Sequence, residues 1–103
     1  MVKELTNEDF SSTIAEGVTV VDFWAGWCGP CRAMAPIFED AAKDVEGQAE
    51  FAKVEIDQYQ DIAAQHQVQS IPTILVFKDG KEVKRIVGLQ DKDALLSQVK
   101  SVL

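Results

Sequence analysis

The pattern of hydrophobic and polar positions along the chain changes period several times, which is typical of a fold in which strands and helices alternate. Runs rich in β-branched and aromatic residues predict strands at Thr19–Trp24, Phe51–Ile56, Thr73–Lys78 and Glu82–Val87. The first run is apolar almost throughout, as expected of a strand that is covered on both faces. The third and fourth runs flank an Asp-Gly pair at residues 79–80, which predicts a hairpin of antiparallel strands.

Apolar residues recur at helical spacing between these strands and predict four helices. The first is opened by Thr6–Asp9, which resembles a capping box, and it ends at Gly17. A second helix extends from a pair of cysteines to about Val45, and a shorter helix spans Asp57–Gln65. The last helix covers about Asp91–Val102.

The order of these elements predicts the fold class. A strand, a helix and a second strand in succession form a right-handed parallel unit, whereas the hairpin adds antiparallel strands. Val2–Leu5 is expected to add an edge strand. The chain is therefore predicted to form a central mixed β-sheet flanked by helices on both faces, a three-layer α/β/α sandwich, in one domain over residues 1–103.

Composition and charge exclude several classes of protein. The 103 residues are 47% hydrophobic, and 17 acidic against 10 basic side chains give a net charge of −7. This balance argues against nucleic-acid binding, which needs a basic face. The first residues do not resemble a secretory signal, and the apolar segment Val18–Ala25 is too short to cross a bilayer. We expect a cytoplasmic monomer that does not contact membranes.

The candidate chemistry lies in the two cysteines of the chain, Cys28 and Cys31. They follow a predicted strand and open a predicted helix, whose unpaired N–H groups and partial positive charge favour a thiolate and lower the pKa of Cys28. A thiolate is the species that attacks a disulfide. Pro30 suits a first helical turn, and Gly29 leaves the sulfurs open to a large substrate.

The spacing also suggests different roles for the two thiols. Cys28 is expected to be exposed at the helix tip and to attack, whereas Cys31, about one turn further in, is expected to be shielded and to resolve the mixed disulfide. The alternative is a metal site, but structural zinc usually has four ligands. The chain offers two cysteines and a distant His66, which is expected to be a loop residue, so two chains would have to share the ion.

The residues around the cysteines identify a family. The sequence Trp24-Ala25-Gly26-Trp27-Cys28-Gly29-Pro30-Cys31 closely resembles the active site of the thioredoxin family, as do Val21–Trp24, Ile71–Thr73, Gly80 and Gly88. The resemblance covers essentially the whole chain. It implies a thioredoxin fold and a disulfide reductase without bound cofactor or metal. Such a protein is reduced by an NADPH-dependent thioredoxin reductase and acts on proteins that contain disulfides.

The resemblance also implies roles for single residues. Asp22 corresponds to a buried aspartate that helps to deprotonate the resolving cysteine, and its position within an apolar strand independently predicts a raised pKa. Lys53 corresponds to a lysine near this aspartate, with which it would pair and whose pKa it would moderate. The alternative is a surface lysine whose stem packs on the sheet. Pro72 corresponds to a cis-proline that faces the cysteines, and the backbone of Ile71 would pair with a substrate peptide.

The rest of an apolar contact surface is implied in the same way. Its members would be Trp27, Gly29, Pro30, Gly88 and Leu89. Trp24 is expected to pack beneath the site. Gly26, Ser70 and Arg32 depart from the commonest residues of the family, and the first two border the contact surface, so the preference for partners stays open.

Two other functions remain compatible with the sequence. An oxidase or isomerase would use the same cysteines, although the Gly-Pro dipeptide between them and the lack of a secretory signal favour a reductant. A binding module would have the same fold with cysteines that are dispensable.

Overall fold

The computed structural model describes residues 2–103. In chain order its elements are β1 (Val2–Glu4), α1 (Phe10–Ile14), β2 (Val18–Trp24), α2 (Gly29–Asp44), β3 (Glu50–Glu55), α3 (Gln60–Gln65), β4 (Thr73–Lys78), β5 (Lys81–Val87) and α4 (Lys92–Lys100). The five strands form one sheet in the order β1-β3-β2-β4-β5. The pairs β1–β3 and β2–β3 are parallel, and the pairs β2–β4 and β4–β5 are antiparallel, which confirms the predicted mixed sheet.

Helices cover both faces of the sheet. On one face, Phe38 of α2 and Leu95 of α4 belong to the same buried cluster as Val20 of β2. On the other face, Phe10 of α1 and Ile62 of α3 belong to a second cluster, which includes sheet residues such as Val21 and Phe23. The predicted three-layer sandwich is confirmed, and the apolar character of β2 is explained because both of its faces are covered.

The hairpin between β4 and β5 forms at the predicted Asp-Gly pair. Asp79 and Gly80 both have positive φ, 51° and 87°, as a tight turn of the I′ type requires. The Asp79 carboxylate accepts a hydrogen bond of 2.8 Å from the backbone N–H of Gly17. This contact ties the hairpin to the segment that leads into β2.

Two helices begin later than predicted, because side chains hold the preceding residues in turns. At α1 the carboxylate of Asp9 accepts from the N–H of Thr6 (2.7 Å), but the Thr6 hydroxyl accepts from Glu8, so only half of the capping box forms. Before α3 the carboxylate of Glu55 accepts from the N–H groups of Asp57 (3.1 Å) and Gln58 (2.9 Å). The predicted start at Asp57 is therefore wrong by three residues.

Candidate active site at the start of α2

The two cysteines lie where β2 leads into α2, and a disulfide joins them. Their Cα atoms are 5.2 Å apart, within the range that a disulfide spans. Cys28 is the N-cap residue with extended backbone, and Gly29 and Pro30 form the first turn of the helix. The local structure follows from the sequence, because proline tolerates the first turn of a helix, where its missing N–H costs no hydrogen bond.

The backbone of the first turn is directed at Cys28. The N–H of Cys31 donates to Cys28 Sγ over 3.2 Å, so sulfur takes the position that a serine or aspartate oxygen takes at other helix starts. When the disulfide is reduced, the same N–H and the helix dipole favour a thiolate on Cys28. The geometry therefore supports Cys28 as the attacking sulfur.

The prediction that Cys28 is exposed is wrong. Cys28 is 5% exposed and Cys31 is 3% exposed, because both belong to a buried cluster against which Trp24, Ile56 and Ile71 pack. The two cysteines differ instead in the cavities that they line, an outer groove for Cys28 and an inner cavity for Cys31.

The outer groove has a volume of about 450 Å³. Besides Cys28, it is lined by Trp27, Gly29, Pro30, Ile56, Val68, Gln69, Ser70 and Ile71. The Ile71–Pro72 peptide bond is cis, and the carbonyl oxygen of Ile71 lies 3.8 Å from Cys28 Sγ. Trp27 is 67% exposed, which is unusual for a tryptophan and typical of a contact surface.

The predicted contact residues Gly88 and Leu89 do not line the outer groove. The N–H of Gly88 donates to the carbonyl oxygen of Pro72 over 2.8 Å, which brings the end of β5 beside the start of β4. Gly88 has φ +94°, a conformation that favours glycine. Leu89, which follows directly, is half exposed.

Some residues of the groove were missed by the sequence analysis. Ile56 and Val68 flank α3, and only the fold brings them to the cysteines. Gln69 immediately precedes the Ser-Ile-Pro segment and could have been found from that position. Asp57 was missed as well, although its carboxylate accepts a hydrogen bond of 2.7 Å from Nε1 of Trp27.

The inner cavity, of about 90 Å³, contains the predicted proton acceptor. Cys31 and Asp22 both line it, together with Val2, Trp24, Arg32, Ala35, Phe38, Glu39 and Lys53. Asp22 is 4% exposed, and burial raises its pKa to about 7, against the opposing effect of the positive charge on Lys53. Within the described part of the chain, Asp22 Oδ1 has no hydrogen-bond partner. The expected burial and raised pKa of Asp22 are confirmed.

Lys53 reaches a different partner from the one expected. It lies beside Asp22 in the parallel register of β2 and β3, but its ammonium group lies 3.7 Å from the carboxylate of Glu4 and 5.2 Å from the centre of the Trp24 ring. Among residues 2–103, the ion pair of Lys53 is the one with Glu4. The expected ion pair between Lys53 and Asp22 is therefore absent from these residues. Lys53 affects Asp22 only through the electric field of its charge, without direct contact.

The other predicted features lie away from the cysteines. His66 is the C-cap of α3, and its ring packs against Phe10 (5.1 Å) and Phe77 (5.4 Å).

Residues 2–103 contain no group of three or more histidine, cysteine or acidic side chains placed to hold a metal ion. Nor does that part of the chain contain a helix that is both long and apolar enough to cross a membrane.

A family model and individual relatives both match the chain over most of its length. The family model described as thioredoxin matches residues 1–101. Thioredoxins of Staphylococcus aureus strains Mu50, MW2 and N315 are each 47% identical to the chain over 94 residues, which are 91% of this chain and 90% of each relative.

Proposed function

The chain belongs to the thioredoxin family and is a protein-disulfide oxidoreductase, and from this premise we propose that it works as a reductant of disulfides in other proteins. Its Cys28-Gly29-Pro30-Cys31 segment would receive electrons from an NADPH-dependent thioredoxin reductase. The observation that carries the proposal is the separation of the two cysteines between an outer groove and an inner cavity that contains Asp22.

The first step is attack by Cys28. Its thiolate, stabilised by the N–H of Cys31, forms a bond to one sulfur of the substrate disulfide. The substrate S–S bond breaks, and the second substrate sulfur leaves as a thiolate that takes a proton from solvent. A mixed disulfide between Cys28 and the substrate results.

The second step is resolution by Cys31. Asp22 takes the proton of the Cys31 thiol, for which a pKa of about 7 suits a base near neutral pH. The cavity between them, about 90 Å³, exceeds the space that one water molecule needs to carry the proton. The Cys31 thiolate then attacks Cys28 Sγ, the intramolecular disulfide forms, and the bond between Cys28 and the substrate breaks. The substrate sulfur that Cys28 had bound leaves as a thiolate and takes a proton from solvent. Two electrons have passed from the dithiol to the substrate.

The substrate is proposed to bind along the outer groove. The backbone of Ile71, which precedes β4, would pair with an extended peptide beside Cys28 as a short added strand. The apolar side of that peptide would contact Trp27, Gly29, Pro30, Pro72, Gly88 and Leu89. The exposure of Trp27 and the 3.8 Å distance between the Ile71 carbonyl oxygen and Cys28 Sγ support this placement.

The remaining parts of the proposal concern how the protein works in the cell. We propose that residues 1–103 act as one domain, as a monomer, and in the cytoplasm. A bound cofactor or metal is not required in this scheme, because the cysteine pair itself carries both electrons. The net charge of −7 supports a protein that resists self-association.

An equilibrium redox titration tests the proposed direction of electron flow. The fluorescence of Trp24 and Trp27 beside the cysteines would report the transition. A two-electron transition more reducing than about −230 mV supports a reductant, whereas one well above about −200 mV indicates an oxidase or isomerase. The absence of any transition would favour a binding module.

A trapping experiment tests the roles of the two cysteines. Cys31→Ser removes the resolving thiol, so substrate proteins should accumulate as mixed disulfides on Cys28 when the variant is mixed with a cell lysate. Cys28→Ser is the matched control and should trap far less. Equal trapping by both variants would contradict the assignment.

A further inference from the structure

Three charged residues occupy one row across the parallel part of the sheet. Glu4 of β1 is in register with Lys53 of β3, and Lys53 is in register with Asp22 of β2. Residues in register on neighbouring strands project from the same face of a sheet. The lysine therefore stands between two carboxylates, one on either side.

The two carboxylates differ strongly in their surroundings. The Glu4 side chain is 72% exposed, whereas Asp22 is 4% exposed and lies on the inner cavity with Cys31. The Lys53 ammonium lies 3.7 Å from Glu4, and the ring of Trp24 lies beside it at 5.2 Å. Lys53 thus bends toward the solvent side of the row.

We propose that Glu4 is a positioning residue that, together with Trp24, holds Lys53 away from Asp22 and so leaves the buried carboxylate able to take the proton of Cys31. The structural part of this inference is independent of the reaction, and its kinetic consequence rests on the proposed function. Glu4 itself does not touch the reacting atoms.

The charges around Asp22 explain why the position of Lys53 matters. Lys53 on β3 faces Asp22, and Arg32 and Glu39 of α2 line the same cavity. Burial raises the pKa of Asp22 to about 7, and the positive charge of Lys53 opposes this effect. A cation in direct contact would lower the pKa of a carboxyl much further. Asp22 would then be a weaker base for a thiol.

The preference of Lys53 for Glu4 has a physical basis. An ammonium group that moves into the inner cavity loses hydration, whereas beside Glu4 it keeps contact with water and gains an opposite charge. The face of Trp24 attracts the same cation through its ring. Removal of the Glu4 charge takes away the opposite charge that attracts Lys53 to the solvent side, so Lys53 should approach Asp22 more often.

The test is a titration of Asp22 in oxidised protein, followed by the NMR signal of its side-chain carboxyl carbon. Glu4→Gln keeps the size of the side chain and removes its charge, and we expect the titration midpoint of Asp22 to fall by about half a pH unit or more. Glu8→Gln, the same change at an exposed neighbouring site, should leave the midpoint unchanged. A midpoint unaltered by Glu4→Gln would overturn the proposal.

A second background separates positioning by Lys53 from a direct effect of the Glu4 charge. In Lys53→Gln protein, Glu4→Gln should no longer move the Asp22 midpoint, because the residue through which Glu4 acts is gone. An equal fall in that background would show that Glu4 acts on Asp22 through space and would refute the role of Lys53.

A kinetic readout keeps this inference distinct from the proposed function. The pH dependence of mixed-disulfide resolution should move downward in Glu4→Gln together with the Asp22 midpoint. If the midpoint moves but the protein reduces no protein disulfides, the positioning role stands and the proposed function fails. If the protein reduces protein disulfides but the Asp22 midpoint does not move, the proposed function stands and the positioning role of Glu4 fails.

Discussion

Asp22 and Cys31 line the same buried cavity of about 90 Å³, although they belong to different elements, β2 and α2. Cys28 opens onto the other side of the helix start, into the outer groove. This relationship separates the proton chemistry of resolution from the surface on which a substrate would lie. It also makes the two sulfurs separately testable.

The first prediction concerns the rate of resolution. Asp22→Asn keeps the shape of the side chain but cannot accept the proton of Cys31, so resolution near pH 7 should slow by about tenfold or more. A small aromatic disulfide serves as the substrate, because each of its halves absorbs light when it is released as a thiolate. The absorbance then reports both steps of the reaction. The first release reports attack by Cys28, and the second reports resolution.

Only the second release should slow. Asp93→Asn, at an exposed position of α4, serves as the control and should resemble the unmodified protein. Above the pKa of a free thiol, Cys31 ionises without help, so the difference should shrink at high pH. Equal second releases at pH 7 would remove Asp22 from the mechanism.

The second prediction concerns stability. The folded pKa of Asp22 is about 7 against 3.8 for the free side chain, so between these values the folded protein binds more protons than the unfolded chain. The free energy of unfolding contributed by this group must then fall as the pH rises from about 4 to above 7. Asp22→Asn removes that loss and should stabilise the protein at pH 8.5 by on the order of 3 to 4 kcal/mol.

Urea denaturation of oxidised protein at pH 4 and pH 8.5 would measure this difference. The variant should gain little at the lower pH, where Asp22 is protonated in the folded protein. A gain of the same size at both pH values would indicate a packing effect instead of the ionisation of Asp22.

The third prediction concerns the hydrogen bond from Trp27 Nε1 to the Asp57 carboxylate, 2.7 Å. Asp57→Ala removes the acceptor and frees an exposed indole, so KM for a protein disulfide should rise severalfold while kcat changes little. Asp57→Asn keeps an acceptor and should largely restore binding. Stability should change by about 1 kcal/mol or less, since the contact is exposed. A fall in kcat alone would point to a different role.

The fourth prediction concerns His66. Burial against aromatic rings lowers its pKa, with Arg85 acting in the same direction and Glu82 opposing both. The neutral ring is therefore favoured in the folded protein, and stability from this group is lost as the pH falls below about 6.5. His66→Phe keeps an aromatic ring without a charge.

Thermal or urea unfolding between pH 7 and pH 5 would compare this variant with the unmodified protein. The free energy of unfolding of the His66→Phe variant, relative to that of the unmodified protein, should increase as the pH falls. If the difference is constant over that range, the protonation of His66 does not affect stability.

The features that the sequence by itself determined are local ones. The strands and helices follow from short-range periodicity, and the hairpin follows from an Asp-Gly pair whose two residues both adopt positive φ. The position of the cysteines at the start of α2 follows from Gly29 and Pro30. The burial of Asp22 was expected from the family resemblance, to which the apolar run of β2 added a reason for a raised pKa. Each of these depends on neighbouring residues, so the sequence contains the information directly.

The features that only the tertiary structure decided depend on contacts between distant residues. Cys28 belongs to a buried cluster against which Ile56 packs, and only the fold brings Ile56 there, so the expected exposure was wrong. Lys53 is in register with the carboxylates of Glu4 and Asp22. It pairs with Glu4 because its ammonium group stays hydrated there and lies beside the Trp24 ring. Charge and burial act through space, and a pattern along the chain does not record distances across the sheet.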